Sequence, residues 1–382
     1  MEYARFGAVV ALAAVGLLLV APSNRSQAAA QAVAAGNANS ASAAVELAAR
    51  MGPGWNLGNT LEATPTETSW GNPPASPALF KAVRAAGFRT VRIPVSWTAH
   101  ADARFDVDSA WMKRVRQVVD EARAADLIVL LNVHWDGGWL QPTKADQAAA
   151  DAHLRKLWTQ IAAAFRDEDD GVLFAGTNEV MVKDQYRAPT GENAAVQNGF
   201  NQVFVDTVRA SGGRNAERVL VVQGFNTNID YTLDAFVVPK DSARDRLMVE
   251  VHYYDPYDFA LNEKSGAWQW GRVATDPKAT ASWGDEAYAD RQFERMKARF
   301  VDKGVPVVLG EYGATLRPEH KDSLKSVAWW DAYITHSAVQ HGLVPVYWDN
   351  GARCGRGLGL LNRATNKPCF PDLVTAIVGA AK

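Results

Sequence analysis

Eight short apolar runs, separated mostly by stretches of helical period, constrain this chain more than any other feature. They cover residues 54–58, 90–94, 127–133, 172–175, 219–222, 247–251, 305–309 and 343–347. Most are rich in Val, Ile and Leu, and they show little polar alternation, the pattern of strands buried on both faces. Residues 76–86, 108–125, 150–168, 195–212, 286–302, 321–341 and 371–380 place apolar side chains at helical spacing, and 228–237 is a shorter, weaker stretch. Strands alternating with helices predict an α/β fold with a parallel sheet, and eight of them predict a (β/α)8 TIM barrel. An open doubly wound sheet is the alternative. A dinucleotide-binding sheet of that kind would carry a glycine-rich turn after its first strand, and this chain has none. No linker-like segment divides residues 46–382, so they are expected to form one domain.

The N-terminus has a different character. Arg5 precedes an apolar run over residues 6–21, and the small residues Ala28, Ala29 and Ala30 follow. That order predicts a secretory signal over residues 1–30, followed by an Ala-, Asn- and Ser-rich flexible leader over 31–45. A membrane anchor is the alternative, but the run falls short of the roughly 20 apolar residues a spanning helix needs. The expectation is a secreted protein, extracellular or periplasmic, with no membrane contact once the signal is removed. The formal net charge of −2 gives no reason to expect nucleic acid as a partner, and an uncharged polysaccharide fits it as well. The only two cysteines, Cys354 and Cys369, share one C-terminal loop. Export permits a disulfide between them, with two free thiols as the alternative. Two cysteines alone make a poor structural metal site.

In a barrel, active sites form at the C-terminal ends of the strands. Arg92 lies on the second strand, and Asn132-Val133-His134-Trp135-Asp136 closes the third. The fourth ends in Thr177-Asn178-Glu179 and the sixth in His252-Tyr253-Tyr254. The seventh ends in Gly310-Glu311-Tyr312-Gly313 and the eighth in Trp348-Asp349-Asn350-Gly351. Glu179 and Glu311 stand out. Glycosidic hydrolysis needs one carboxylic acid for the leaving oxygen and one carboxylate at the anomeric carbon. Strands four and seven lie roughly opposite each other, so the two side chains can face across the barrel mouth. Either glutamate alone would be read as an ordinary loop residue.

Together, Gly54-Trp55-Asn56-Leu57-Gly58-Asn59, Val91-Arg92-Ile93-Pro94, Asn132-Val133-His134, Asn178-Glu179, His252 with Tyr254, Gly310-Glu311-Tyr312-Gly313 and Trp348 resemble the motifs of glycoside hydrolase family five, the large cellulase family. Each motif is weak alone. Their shared order from residue 53 to about 351 is specific. The resemblance implies a retaining mechanism, with Glu179 as acid/base and Glu311 as nucleophile. It implies that Asn178 bonds the sugar 2-hydroxyl and Tyr254 donates to the nucleophile. Arg92 is expected to orient Glu311 by a charge-assisted bond. His134 and His252 are expected to bond sugar or carboxylate, and Trp348 to form the floor under the sugar. Many members carry two histidines in a row after strand three. Here the second position is Trp135, which is expected to alter substrate contacts rather than chemistry.

Asn59, Trp135 and Trp139 complete the expected substrate-contacting set. The other loop tryptophans, Trp70, Trp268, Trp270 and Trp283, are placed at or near the rim, about half of the loop set being expected to touch substrate. Trp111, Trp158, Trp329 and Trp330 fall on helices and are read as packing. The expected activity is that of an endo-β-1,4-glucanase acting on a β-glucan, with xyloglucan, mixed-linkage glucan or mannan as alternatives. The competing classes are a non-catalytic carbohydrate-binding barrel, which would be expected to have lost a carboxylate, and a metal-dependent hydrolase, which lacks the usual paired histidines after strand one. No cofactor or metal is expected, and the chain is expected to act as a monomer.

Overall fold

The computed structural model describes residues 42–134 and 136–382. The segment read as a signal, most of the leader, and Trp135 lie outside the described residues. The eight strands are β1 (Gly54–Asn56), β2 (Thr90–Ile93), β3 (Ile128–Asn132), β4 (Val172–Ala175), β5 (Leu220–Gln223), β6 (Leu247–Tyr253), β7 (Val307–Tyr312) and β8 (Leu343–Tyr347). Each pairs in parallel with its sequence neighbours, and β1 pairs with β8, so the sheet closes as a barrel in sequence order. The fold is the (β/α)8 barrel that the alternation predicts.

The helices lie between the strands. They are α1 (Ala43–Met51), α2 (Pro77–Ala86), α3 (Ser109–Ala124), α4 (Lys144–Ala164), α5 (Gly191–Ala210), α6 (Ile229–Ala235), α7 (Tyr257–Ala260), α8 (Glu286–Arg299), α9 (Ser323–Gln340) and α10 (Pro371–Ala380). Local chemistry sets several of their starts. The Ser76, Asp108 and Thr143 side chains each accept a bond from the first turn of α2, α3 and α4. Thr190 and Asn193 form a reciprocal capping box at α5. Helix α4 therefore begins at the Thr143 cap, six residues before the apolar periodicity alone places it.

Helix α1 takes the last three residues of the segment read as leader. Its Ala44, Leu47 and Met51 are buried together with Leu130, Leu173, Val221, Met248 and Val308 of the strands. This apolar cluster fills the inside of the barrel, while a larger one packs the strands against the outer helices. A short hairpin, β9 (Leu361–Asn362) with β10 (Lys367–Pro368), follows the eighth strand. Cys354 and Cys369 are bonded to each other and close that segment.

Candidate active site

Strand β6 continues two residues past the apolar run, and β7 three residues past its own. Their pairing is irregular here. Val251 faces Leu309, but His252 faces Glu311, so Gly310 is the extra residue of a bulge. A Cβ at Gly310 would lie 2.0 Å from a Glu250 carboxylate oxygen, so any side chain there would have to displace that buried, paired carboxylate. The bulge sets Glu311 beside His252 at the barrel mouth.

Arg92 organises the floor of the site and is fully buried. Its Nη1 donates to Glu311 Oε1 at 2.8 Å and to Asn56 Oδ1 at 3.0 Å. Its Nη2 donates to Asn178 Oδ1 at 2.5 Å, and its Nε lies 2.8 Å from Glu250 Oε1. Asn178 thus uses its carbonyl on Arg92 and keeps its Nδ2 hydrogens for the cleft. Tyr254 donates its hydroxyl to Glu311 Oε2 at 3.1 Å. Burial and the charge of Glu311 hold the Tyr254 phenol well above its ordinary pKa, so it remains a donor.

His252 is buried between three carboxylates. Nδ1 lies 2.8 Å from Glu179 Oε1 and 3.7 Å from Glu311 Oε2, and Nε2 lies 3.2 Å from Glu250 Oε1. Both ring nitrogens face carboxylate oxygens, and a hydrogen on each lets the ring donate to both sides. Burial alone would depress its pKa. The charge of Glu311, the hydrogen bonds to Glu179 and Glu250, and the charge of Glu179 outweigh that and raise it to about 9. Glu250 is likewise penalised by burial, but Arg92 and His252 bring it down to about 2. For Glu311, burial is the largest effect; His252 and Arg92 pull the other way, and its carboxyl stays raised. His134 is driven well below its ordinary value by burial and by the nearby Arg92 and His252 charges, so it is neutral. Its Nδ1 is 3.1 Å from Asn132 Nδ2, which assigns the ring hydrogen to Nε2.

Glu179 differs from Glu311 in exposure, its side chain being 39% accessible against 7%. Its backbone takes φ +45°, a left-handed conformation uncommon for a residue with a side chain. An oxygen of Glu179, one of Glu311 and a His252 nitrogen all lie within 4.8 Å of one another. Distance alone would let a divalent ion bridge these three. In this structure those groups are engaged with protein partners: Arg92 and Tyr254 bond the two oxygens of Glu311, and both His252 nitrogens face carboxylate oxygens.

The other expected residues divide. Trp348 stacks parallel to His134 with ring centroids 5.8 Å apart. Trp139 stacks on His153 and, with His134, Asn178, Glu179 and Tyr186, lines a cleft of about 250 Å³. Asn59 is half-buried on the loop after β1. Trp270 is a correction: it is 1% exposed and packs against Phe259, Trp330 and Tyr333 in the core. Trp70 and Trp283 are exposed, and Trp268 stacks on His320. Sequence reasoning passed over Glu250, Gln223 and Tyr186. Gln223 donates to Glu250 Oε2 at 2.7 Å. Glu250 carried a usable signal: a charge inside an otherwise apolar strand must be paired if that strand is buried.

Residues 56–353 match the model of the cellulase family, glycosyl hydrolase family 5. The chain belongs to that family. It is 41% identical to endoglucanase A of Paenibacillus barcinonensis over 358 residues, covering 88% of this chain and 89% of that protein. Its structure resembles the Bacteroides ovatus GH5 xyloglucanase in complex with a XXXG heptasaccharide, at TM-score 0.85 and 40% identity over 90% of this chain and 77% of that one. It also resembles a GH5-4 broad specificity endoglucanase from Bacteroides salanitronis, at TM-score 0.84 and 38% identity over 90% and 96% of the two chains. The protein is a glycoside hydrolase of family 5.

Proposed function

We propose that the enzyme is a retaining endo-β-1,4-glucanase in which Glu311 is the nucleophile and Glu179 the acid/base. The observation carrying this reading is the pair of carboxylates facing each other with oxygens within 4.8 Å. Retaining enzymes hold their carboxyl groups about 5–5.5 Å apart, whereas inverting ones leave about 6.5–9.5 Å for a water. Glu311, fixed by Arg92 and Tyr254, attacks the anomeric carbon. Glu179 gives its proton to the glycosidic oxygen as that bond breaks, and the leaving chain departs. Glu179, now a carboxylate, takes a proton from water. The resulting hydroxide adds to the anomeric carbon and displaces Glu311. Asn178 Nδ2 bonds the 2-hydroxyl, and Trp348 supports the sugar ring.

The substrate reading is a β-1,4-linked glucan backbone entering the cleft between Trp139 and Tyr186. Xyloglucan is a second reading, favoured by the resemblance to the Bacteroides ovatus xyloglucanase. The enzyme is read as acting as a monomer. Export is supported by the composition of residues 1–30; among the described residues no helix is long and apolar enough to cross a membrane.

The test is hydrolysis of soluble cellulose, xyloglucan, mixed-linkage glucan and mannan, with the first product anomer read by proton NMR. Retention on at least one β-glucan is expected, and inversion overturns the mechanism. Glu311→Gly should lose at least about a thousand-fold in kcat. Added azide should restore part of the turnover on an activated substrate and give an inverted glycosyl azide. Near-native hydrolysis by Glu311→Gly would exclude it as nucleophile.

A further inference from the structure

We propose that Arg363, on the disulfide-closed segment after the barrel, is a positioning residue that sets the Trp348 platform of the active site. It is buried, and it reaches both loops that flank the seam where the barrel closes. Its Nη1 donates to Gly58 O at 3.0 Å and to Thr60 Oγ1 at 2.8 Å, both on the loop after β1. Its Nη2 donates to Asp349 O at 2.6 Å and approaches Asp349 Oδ1 at 3.3 Å, both just past β8. The guanidinium lies 4.9 Å from the ring centroid of Trp55 on β1. A planar fork can hold two loops at once in this way, and a point charge cannot.

The two loops it joins carry Asn59 and Trp348. Gly58 lies directly against the indole: a Cβ there would meet Trp348 Cζ2 at 3.0 Å and Asp349 O at 2.8 Å. A shift of the Gly58 loop toward the indole therefore displaces the ring that stacks on His134. Asp349 completes the linkage. Its Oδ2 accepts from Trp55 Nε1 at 2.8 Å and from the Leu360 and Leu361 amides at 3.1 and 3.0 Å. Glu62 holds the other side, accepting from the Asn59 and Thr60 amides.

The molecule supplies its own control. Arg218 is as deeply buried and also clasps backbone carbonyls, those of Phe165, Glu168, Asp169 and Val172. It too stacks over an aromatic ring, Phe174. Those carbonyls lie at the N-terminal side of β4, the end of the barrel opposite the catalytic rim. Arg218 is thus a structural clasp of similar build with no path to Trp348.

The inference rests on the glucanase reading above, and an inactive wild-type enzyme would count against that reading rather than this one. The experiment compares kcat and KM of full-length Arg363→Met, Arg363→Lys, Arg218→Met and Arg218→Lys on the best glucan, at a temperature where near-ultraviolet circular dichroism shows each folded. Arg363→Met should lose about ten-fold or more in kcat/KM, since misplacement of a site group by about 1 Å can cost that much or more. Arg363→Lys should keep the fold and recover part of the loss. The Arg218 variants should lower the melting temperature and leave kcat/KM within about two-fold. Should Arg363→Met not fold, Arg363→Lys decides alone, with a loss of about three-fold or more expected. Near-native kcat/KM in the Arg363 variants, or equal losses in the Arg218 variants, overturns the proposal.

Discussion

Glu250 has no place in the bond-making steps, yet it sets the charges of the groups that do. Its carboxylate is shared between Arg92 Nε and His252 Nε2. Glu250→Gln should let the His252 pKa fall from about 9 toward its ordinary value, because one of the carboxylate hydrogen bonds raising it is gone. The expected result is a kcat/KM lower by about ten- to a hundred-fold at neutral pH, with the alkaline limb of the pH profile moved to lower pH. A pH–rate profile unchanged in shape would show that Glu250 does not act through His252. Glu179→Ala should damage hydrolysis of natural glucans far more than that of aryl glycosides with good leaving groups, by a ratio of about a hundred. Equal losses on both substrates would remove Glu179 as the acid.

At the scale of elements, the C-terminal segment and α1 make separable contributions. The disulfide closes a loop of 15 residues, for which chain entropy gives about 3 kcal/mol. Cys354→Ser with Cys369→Ser should lower stability in urea by that order, with the barrel still folded. Helix α1 lays Leu47 and Met51 against the inside cluster. Leu47→Ala should cost about 2–5 kcal/mol, which urea unfolding can measure. A cost below about 0.5 kcal/mol would mean that α1 does not seal the barrel. The apolar periodicity located most helices, but their starts were set by caps such as Thr143 and Thr190, which a pattern of apolar residues does not register. The bulge at Gly310 that sets Glu311 opposite His252 was also hidden, because register between two strands is not recorded along either one.

Over the whole molecule, pH couples to stability through the same cluster. His252 has a folded pKa near 9 against an ordinary 6.5. Its contribution is complete below about 6.5 and is lost as pH rises through 9. Glu250 works in the opposite sense: its contribution is present above about 4.5 and is lost as pH falls toward 2. The melting temperature should therefore decline from pH 6.5 to 9, and the decline should shrink in Glu250→Gln. An equal decline in the variant would place the alkaline loss elsewhere.

Sequence alone determined the barrel and the identity of the two facing glutamates, because both follow from local order. Eight apolar runs of strand length with helices between them leave few alternatives, and the chemistry of a barrel collects at strand ends. Three things were decided only by tertiary structure. The gap between Glu179 and Glu311 depends on barrel closure, which brings together residues far apart in the chain. The partners of Arg92 and His252 include Glu250, whose role appears only once the closed barrel brings β2 and β6 together across its interior. The burial of Trp270 in the core and of Arg363 at the seam between the loops after β1 and β8 was the third. Burial is a property of what surrounds a side chain in space, and spacing along the chain records that only where a single helix or strand carries the whole pattern.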